Sequence, residues 1–140
     1  MTSGAGTESV GVKLAVLRVG SAVYALDVAH VREVVRWQTV TPLPKAPRLI
    51  EGVIDLRGAV VPVVDLGRVL GTAPVAAGPS ARIAIVAESG LVMGLAVDAA
   101  RAVVRRSGAA PVLVLSLEHI LESVYRSALA GHREGEENAA

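Results

Sequence analysis

The chain contains no cysteine and no phenylalanine, and aromatic residues make up 2% of it, as one tryptophan and two tyrosines. Without cysteine, no disulfide framework, thiolate metal site or thiol nucleophile can form. So few aromatics leave no stacking platform for single-stranded nucleic acid, and the interior must be filled by Val, Leu, Ile and Ala. An excess of charge is also missing. Fourteen Lys and Arg against thirteen Asp and Glu leave a net charge of +1, which argues against nucleic-acid or anionic-membrane binding through bulk charge. No apolar run reaches the roughly 18 residues of a membrane span; the best stretch, Leu91–Val104, is broken by Asp98 and Arg101. Residues 1–11 show neither the basic nor the apolar region of a signal peptide, so a cytoplasmic protein without membrane insertion is expected. His30, His119 and His132 form no metal-binding spacing, and no phosphate-binding glycine loop or nucleophile elbow is present. No metal and no cofactor are expected.

What is present is a 140-residue chain that is 52% apolar, enough to bury roughly 70% of its unfolded surface in one domain or two small lobes sharing a core. Within it the sequence repeats. Leu14–Val35 aligns without gaps onto Ile83–Val104, 69 positions further on, each copy reading strand, small turn, strand and a segment ending in paired valines. A second echo places Val63–Leu70 on Val114–Leu121, with Asp65 and Ser116 as helix N-caps. The two offsets disagree, so the second copy has lost about one connector and one strand: RWQTVTPLPKAPRLIEGVIDLRG in the first is matched only by RRSGAAP in the second. Short β-branched strands with glycine turns suit compact barrels. The proline-rich TPLPKAP contains a PxxP spacing, but its place between strands marks it as a rigid connector. Leu117, Ile120, Leu121, Val124 and Ala128 recur at helical spacing, predicting an amphipathic helix over about 116–129. Residues 1–11 and 131–140 are expected to be disordered.

The most informative segment is Gly52–Asp65, GVIDLRGAVVPVVD. It reads as two strands joined by a turn bearing Arg57 and Gly58. The valines at 60, 61, 63 and 64 predict a strand covered on both faces, while Pro62, lacking an N–H, requires a sheet edge or bulge. Together with VYALDVAHVREVVRWQTVTPLPKAP before it and LVMGLAVD after it, this segment resembles the CheW family of bacterial chemotaxis coupling proteins. The matching strings occur in the family's order and cover most of residues 14–104. The resemblance implies a mainly β fold of two small SH3-like β-barrel lobes packed together, here with a shortened second lobe and a short C-terminal α-helix. The lobes are expected at about 14–70 and 83–121 of a domain spanning 12–130.

The resemblance also implies a non-enzymatic adaptor. Its partners would be the cytoplasmic tip of a methyl-accepting chemoreceptor, a CheA-type histidine kinase and other CheW-like proteins. Arg57 matches the arginine of the family's LRG motif, and Glu33 the acidic residue of its VxEV segment. On the residues alone, Arg57 is either a solvated turn residue or the polar anchor of a binding surface. Glu33 is either a partner of Arg57 or a solvated glutamate beside Arg32 and Arg36 on a short helix. Val28, Val31, Val34 and Val35 are either core or the wall of an apolar groove. Gly52, Gly58 and Gly94 permit close approach of another backbone, or serve local turns. The lost strand, on the lobe that offers a main kinase contact in the family, implies weakened or absent kinase binding. Two alternatives of other classes are a small-barrel nucleic-acid binder, disfavoured by charge and aromatic poverty, and a hydrolase using Asp55 and Asp65.

Overall fold

Valine-rich runs ended by glycine turns become nine strands in the computed structural model, which describes residues 13–105 and 113–139. In chain order they are β1 (Lys13–Val19), β2 (Ala22–Asp27), a 3-10 turn (Val28–His30), β3 (Val31–Arg36), β4 (Ile50–Leu56) and β5 (Ala59–Asp65). The short helix α1 (Leu66–Val69) follows, then β6 (Arg82–Glu88), β7 (Leu91–Val97), β8 (Ala99–Arg105), β9 (Leu113–Val114) and the helix α2 (Leu117–Ala139). The fold is mainly β, with two sheets as the bases of two SH3-like lobes. One sheet has the order β8-β1-β2-β9, the other β3-β6-β7-β5-β4.

The sequence repeat is visible strand by strand, but the lobes do not follow its boundaries. The hairpin β1–β2 matches β6–β7, and the third strand of each repeat crosses to the other: β3 pairs antiparallel with β6, and β8 with β1. The exchange is reciprocal in register, since Val35↔Ile83 in one ladder corresponds to Val104↔Leu14 in the other. The lobes expected at 14–70 and 83–121 are therefore corrected: each sheet draws strands from both stretches. The reason is that a two-stranded hairpin is too small to be stable alone. Each repeat completes its sheet with a strand from its twin.

The expected loss of a strand is seen in the four-stranded sheet. β5 lies parallel to β7 through Val63↔Gly94, and β9 lies parallel to β2 through the matching pair Val114↔Ala25. Beyond β5 stands β4, antiparallel to it; beyond β9, among the described residues, no strand follows. Residues 37–58 join β3 to β5 and include β4, whereas only residues 106–112, outside the described residues, join β8 to β9.

The core is one continuous aliphatic cluster. Leu17, Val19 and Leu26 from one sheet meet Ile54, Val63, Ile83, Ile85, Leu95 and Val97 from the other, and Leu66, Leu117 and Ile120 from the helices seal it. β6 is buried on both faces at Ile83, Ala84, Ile85 and Val86, as its uninterrupted apolar run requires. β5 departs from that expectation at its start, where Val60 is 72% exposed. β7 pairs only with Val63–Asp65, so the beginning of β5 projects past its neighbour. The same fact accommodates Pro62. The N–H and C=O of its partner Val53 bond Thr41, away from β5. Val53↔Pro62 is therefore a non-bonded pair, and the nitrogen of Pro62 faces the side that β7 does not reach.

Both predicted N-caps are formed. The Asp65 carboxylate accepts from Arg68 N–H at 3.1 Å, and Ser116 Oγ accepts from His119 N–H at 3.3 Å. The C-terminal helix begins as predicted and runs through Ala139, beyond the predicted end near 129. Ala, Glu and Arg are strong helix formers, and here they outweigh Gly131 and Gly135. The expectation for residues 1–11 falls outside the described residues. No helix among the described residues is long and apolar enough to cross a membrane.

Candidate functional site

A two-residue turn joins β4 to β5, and both of its residues have positive φ: Arg57 at 52° and Gly58 at 89°. That is the turn type whose twist matches a right-handed hairpin. Asp55 secures it, its carboxylate accepting from Gly58 N–H at 2.7 Å. A tight turn so built sets the direction in which Arg57 leaves the sheet. The side chain is 70% exposed and reaches Glu33 on β3. Both guanidinium NH₂ groups donate to the Glu33 carboxylate, Nη1 to Oε1 at 3.2 Å and Nη2 to Oε2.

The bidentate pair has a structural consequence. β3 and β4 are opposite edges of the five-stranded sheet, so a contact between β3 and the β4–β5 turn means that the sheet has curled until its edges meet. Arg57 and Glu33 clasp that seam. Thr41 in the connector also forms an antiparallel bridge to Val53 on β4, with bonds of 2.8 and 2.9 Å. The hydrogen bond from Arg57 and its positive charge hold the Glu33 carboxyl below its usual range, and the same carboxylate raises the Arg57 guanidinium further. With its folded value depressed, Glu33 contributes stability above its unfolded value, and that contribution is lost as pH falls through the folded value. Arg57, with its folded value raised, contributes throughout the working range and loses it only in strong alkali. The clasp is therefore formed at neutral pH and released by acid.

The VREVV segment that carries Glu33 is a strand, not the short helix that the solvated alternative supposed. Strand alternation divides the predicted valines. Val31 and Val35 share the Glu33 face and pack on the core, while Val34 turns outward with Arg32 and Arg36 and is 41% exposed. Val28 is half-buried in the 3-10 turn. Of the groove wall expected on these four residues, Val34 alone is an exposed apolar side chain.

The three glycines separate as well. Gly58 is exposed, and a Cβ there would meet nothing within 4 Å. Gly52 is buried at a register shift in β4; a Cβ would sit 2.3 Å from the Thr41 carbonyl oxygen. Gly94 is buried, and a Cβ would sit 2.6 Å from Ile83 Cγ2. The close approach that Gly52 and Gly94 permit is internal, to Thr41 and Ile83. Val60 was missed. It lies two residues past the turn, on β5, and is the most exposed large apolar residue described. Its exposure follows from where the parallel pairing to β7 begins, which the fold sets.

Asp55 and Asp65 do not converge. Asp55 faces Val60 across the hairpin and Asp65 lies five residues further along β5, a separation of about 16 Å at strand spacing. Asp65 is 1% exposed and structural, accepting from Val75 N–H at 3.1 and 3.2 Å as well as from Arg68. Arg101 is exposed on β8. Among the described residues no group of three His, Asp or Glu side chains is placed to hold a metal ion.

The fold is an interleaved pair of small β lobes with a clasped arginine at a hairpin turn, and comparison with known proteins gives the family. The CheW-like domain profile matches residues 13–111. The chain belongs to the CheW-like domain family. It is 44% identical over 91 residues to the chemotaxis protein CheW of Rhizobium meliloti (strain 1021), covering 64% of this chain and 57% of that protein. It is 36% identical over 94 residues to CheW of Bacillus subtilis (strain 168), covering 67% and 60%. Among solved structures, the scaffolding protein TtCheW from Thermoanaerobacter tengcongensis superposes with a TM-score of 0.64 at 37% identity, covering 68% of this chain and 65% of that one. The chain thus spans less than two thirds of the length of these relatives.

Proposed function

We propose that this protein is a non-enzymatic, cytoplasmic adaptor of a bacterial chemosensory system. It docks the cytoplasmic tip of a methyl-accepting chemoreceptor and links it to signalling partners that include other CheW-like proteins. The observation that carries this reading is the LRG turn itself. In a CheW-like domain, Arg57 is presented at 70% exposure in a fixed turn, oriented by Glu33 and flanked by the exposed Val60. Docking of this kind needs no bond-making chemistry. Burial of Val60 and Val34 contributes affinity at about 25 cal/mol per Å² before association costs, and the guanidinium fixes orientation.

The link to a CheA-type kinase is weakened or lost in this reading. Among the described residues the four-stranded sheet has no counterpart of β4, and a partner surface built on the complete lobe is therefore incomplete. Titration calorimetry of the purified chain against a receptor hairpin fragment, and separately against the kinase, tests both parts. Receptor binding with little or no kinase binding is expected. Tight kinase binding would reject the second part, and failure to bind any receptor tip would reject the first.

A further inference from the structure

Arg36 and Arg82 stand directly opposite each other in the ladder of β3 and β6. Opposed side chains share a face with their Cβ atoms about 5 Å apart, and like charges so placed repel. This is the end of β3 remote from Asp27, and so from the start of β1 that pairs with Asp27. No ion pair among the described residues involves either arginine. Asp98 takes the Ser80 hydroxyl on its carbonyl, but its carboxylate accepts from Gly20 N–H at 2.6 Å. Arg82 Nη1 donates to the Pro79 and Ala81 carbonyls, each at 2.9 Å, and Ala81 N–H closes the turn on the Gly78 carbonyl at 3.1 Å. A guanidinium has more donors than these bonds use. Both arginines line a cavity of about 370 Å³ whose other walls are Trp37, Gly78 and Pro79, with no Asp or Glu among them. Trp37 is half-buried against the core, and its backbone N–H bonds the Ala81 carbonyl at 3.3 Å, which ties this wall to the turn.

We propose that this cavity binds a mononucleotide, its phosphate bridging Arg36 and Arg82 and its base lying on Trp37 and Pro79. The charge pattern selects the phosphate. A carboxylate has two oxygens, which one guanidinium fork already fills, whereas a phosphate monoester presents three and carries a charge of about −1.5 to −2, enough for both arginines at once. Its binding relieves the repulsion across the ladder. The size and the walls select the rest of the ligand. The cavity falls within the range of about 300–1,000 Å³ typical of small-molecule sites, a bare phosphate leaves Trp37 and Pro79 uncovered, and a flat indole beside a proline ring suits an aromatic base. Arg36 lies on the face of β3 opposite to Glu33, so the site stands independently of the adaptor reading.

Trp37 is the only tryptophan in the chain, so its fluorescence reports the site directly. The full chain is titrated with adenosine monophosphate, with inorganic phosphate and with adenosine, exciting where the nucleotide does not absorb. A saturable change with adenosine monophosphate is expected, with weaker binding of inorganic phosphate and of adenosine. Arg36→Gln and Arg82→Gln are each expected to weaken adenosine monophosphate about tenfold or more, and Arg36→Gln decides should Arg82→Gln loosen the turn. Arg32→Gln removes the same charge from the same face of β3 outside the cavity, and is expected to change affinity by about twofold or less. No saturable response to adenosine monophosphate would overturn the proposal, as would inorganic phosphate binding as tightly as the nucleotide. Equal weakening by Arg32→Gln and Arg36→Gln would also overturn it, leaving a diffuse basic surface in place of a site.

Discussion

Replacing Asp65 by alanine removes two supports at once. Its carboxylate caps α1 through Arg68 N–H and satisfies Val75 N–H, and it is 1% exposed. Loss of an N-cap costs about 0.5–2 kcal/mol. Leaving the buried Val75 N–H without an acceptor costs about 1–3 kcal/mol. Because the two share one carboxylate they are not fully additive, and a net loss of about 2–4 kcal/mol is expected. Arg68 keeps the Arg48 carbonyl at 2.9 Å and Glu51 at 3.6 Å, so its charge is not stranded. Asp65→Asn, which retains an acceptor oxygen, is expected to lose less. The control is Asp55→Ala, whose partner Gly58 N–H is exposed and turns to water; about 0.5 kcal/mol or less is expected there. Urea unfolding followed by circular dichroism measures all three, with the midpoint shifting at constant slope. Equal effects of Asp65→Ala and Asp55→Ala would refute the reasoning, because burial would then not distinguish them.

Gly52→Ala places a Cβ 2.3 Å from a backbone oxygen that cannot rotate away. It is expected to destabilise by about 1–3 kcal/mol in the same assay, and to weaken amide protection at Thr41 and Val53. Unfolding is expected to be a single transition, with Trp37 fluorescence and far-ultraviolet circular dichroism coinciding, because each sheet contains strands of both repeats and neither lobe can open alone. Two resolved transitions would mean that the lobes unfold separately.

The local features were readable from residues. β-branched runs gave the strands, Asp65 and Ser116 their helix starts, and the conflict between the two repeat offsets the lost strand. Pairing was not readable, because β3 carries the same alternation whether it returns to β2 or crosses to β6. Only the reciprocal register of the folded chain separates these. Burial of Gly52 and Gly94 was hidden for the same reason: Thr41 and Ile83, which their missing Cβ atoms admit, are brought to them by the fold. For the site, Arg57 and Glu33 came from the resemblance, and their contact follows from a sheet that curls shut. Val60 escaped because a valine-rich strand reads as buried throughout unless its neighbour is known to stop short.

In the proposed function the clasped arginine at the β4–β5 turn is a surface that meets a partner. Calorimetric titration of a chemoreceptor hairpin tip into the wild-type chain, Arg57→Ala, and the charge-swapped pair Glu33→Arg with Arg57→Glu tests this most directly. Arg57→Ala is expected to bind about tenfold more weakly or worse while remaining folded, and the swapped pair, though it keeps an internal ion pair, is expected to stay weak. Wild-type affinity in Arg57→Ala, or full recovery in the swapped pair, would contradict the account and reduce Arg57 to a clip on the barrel.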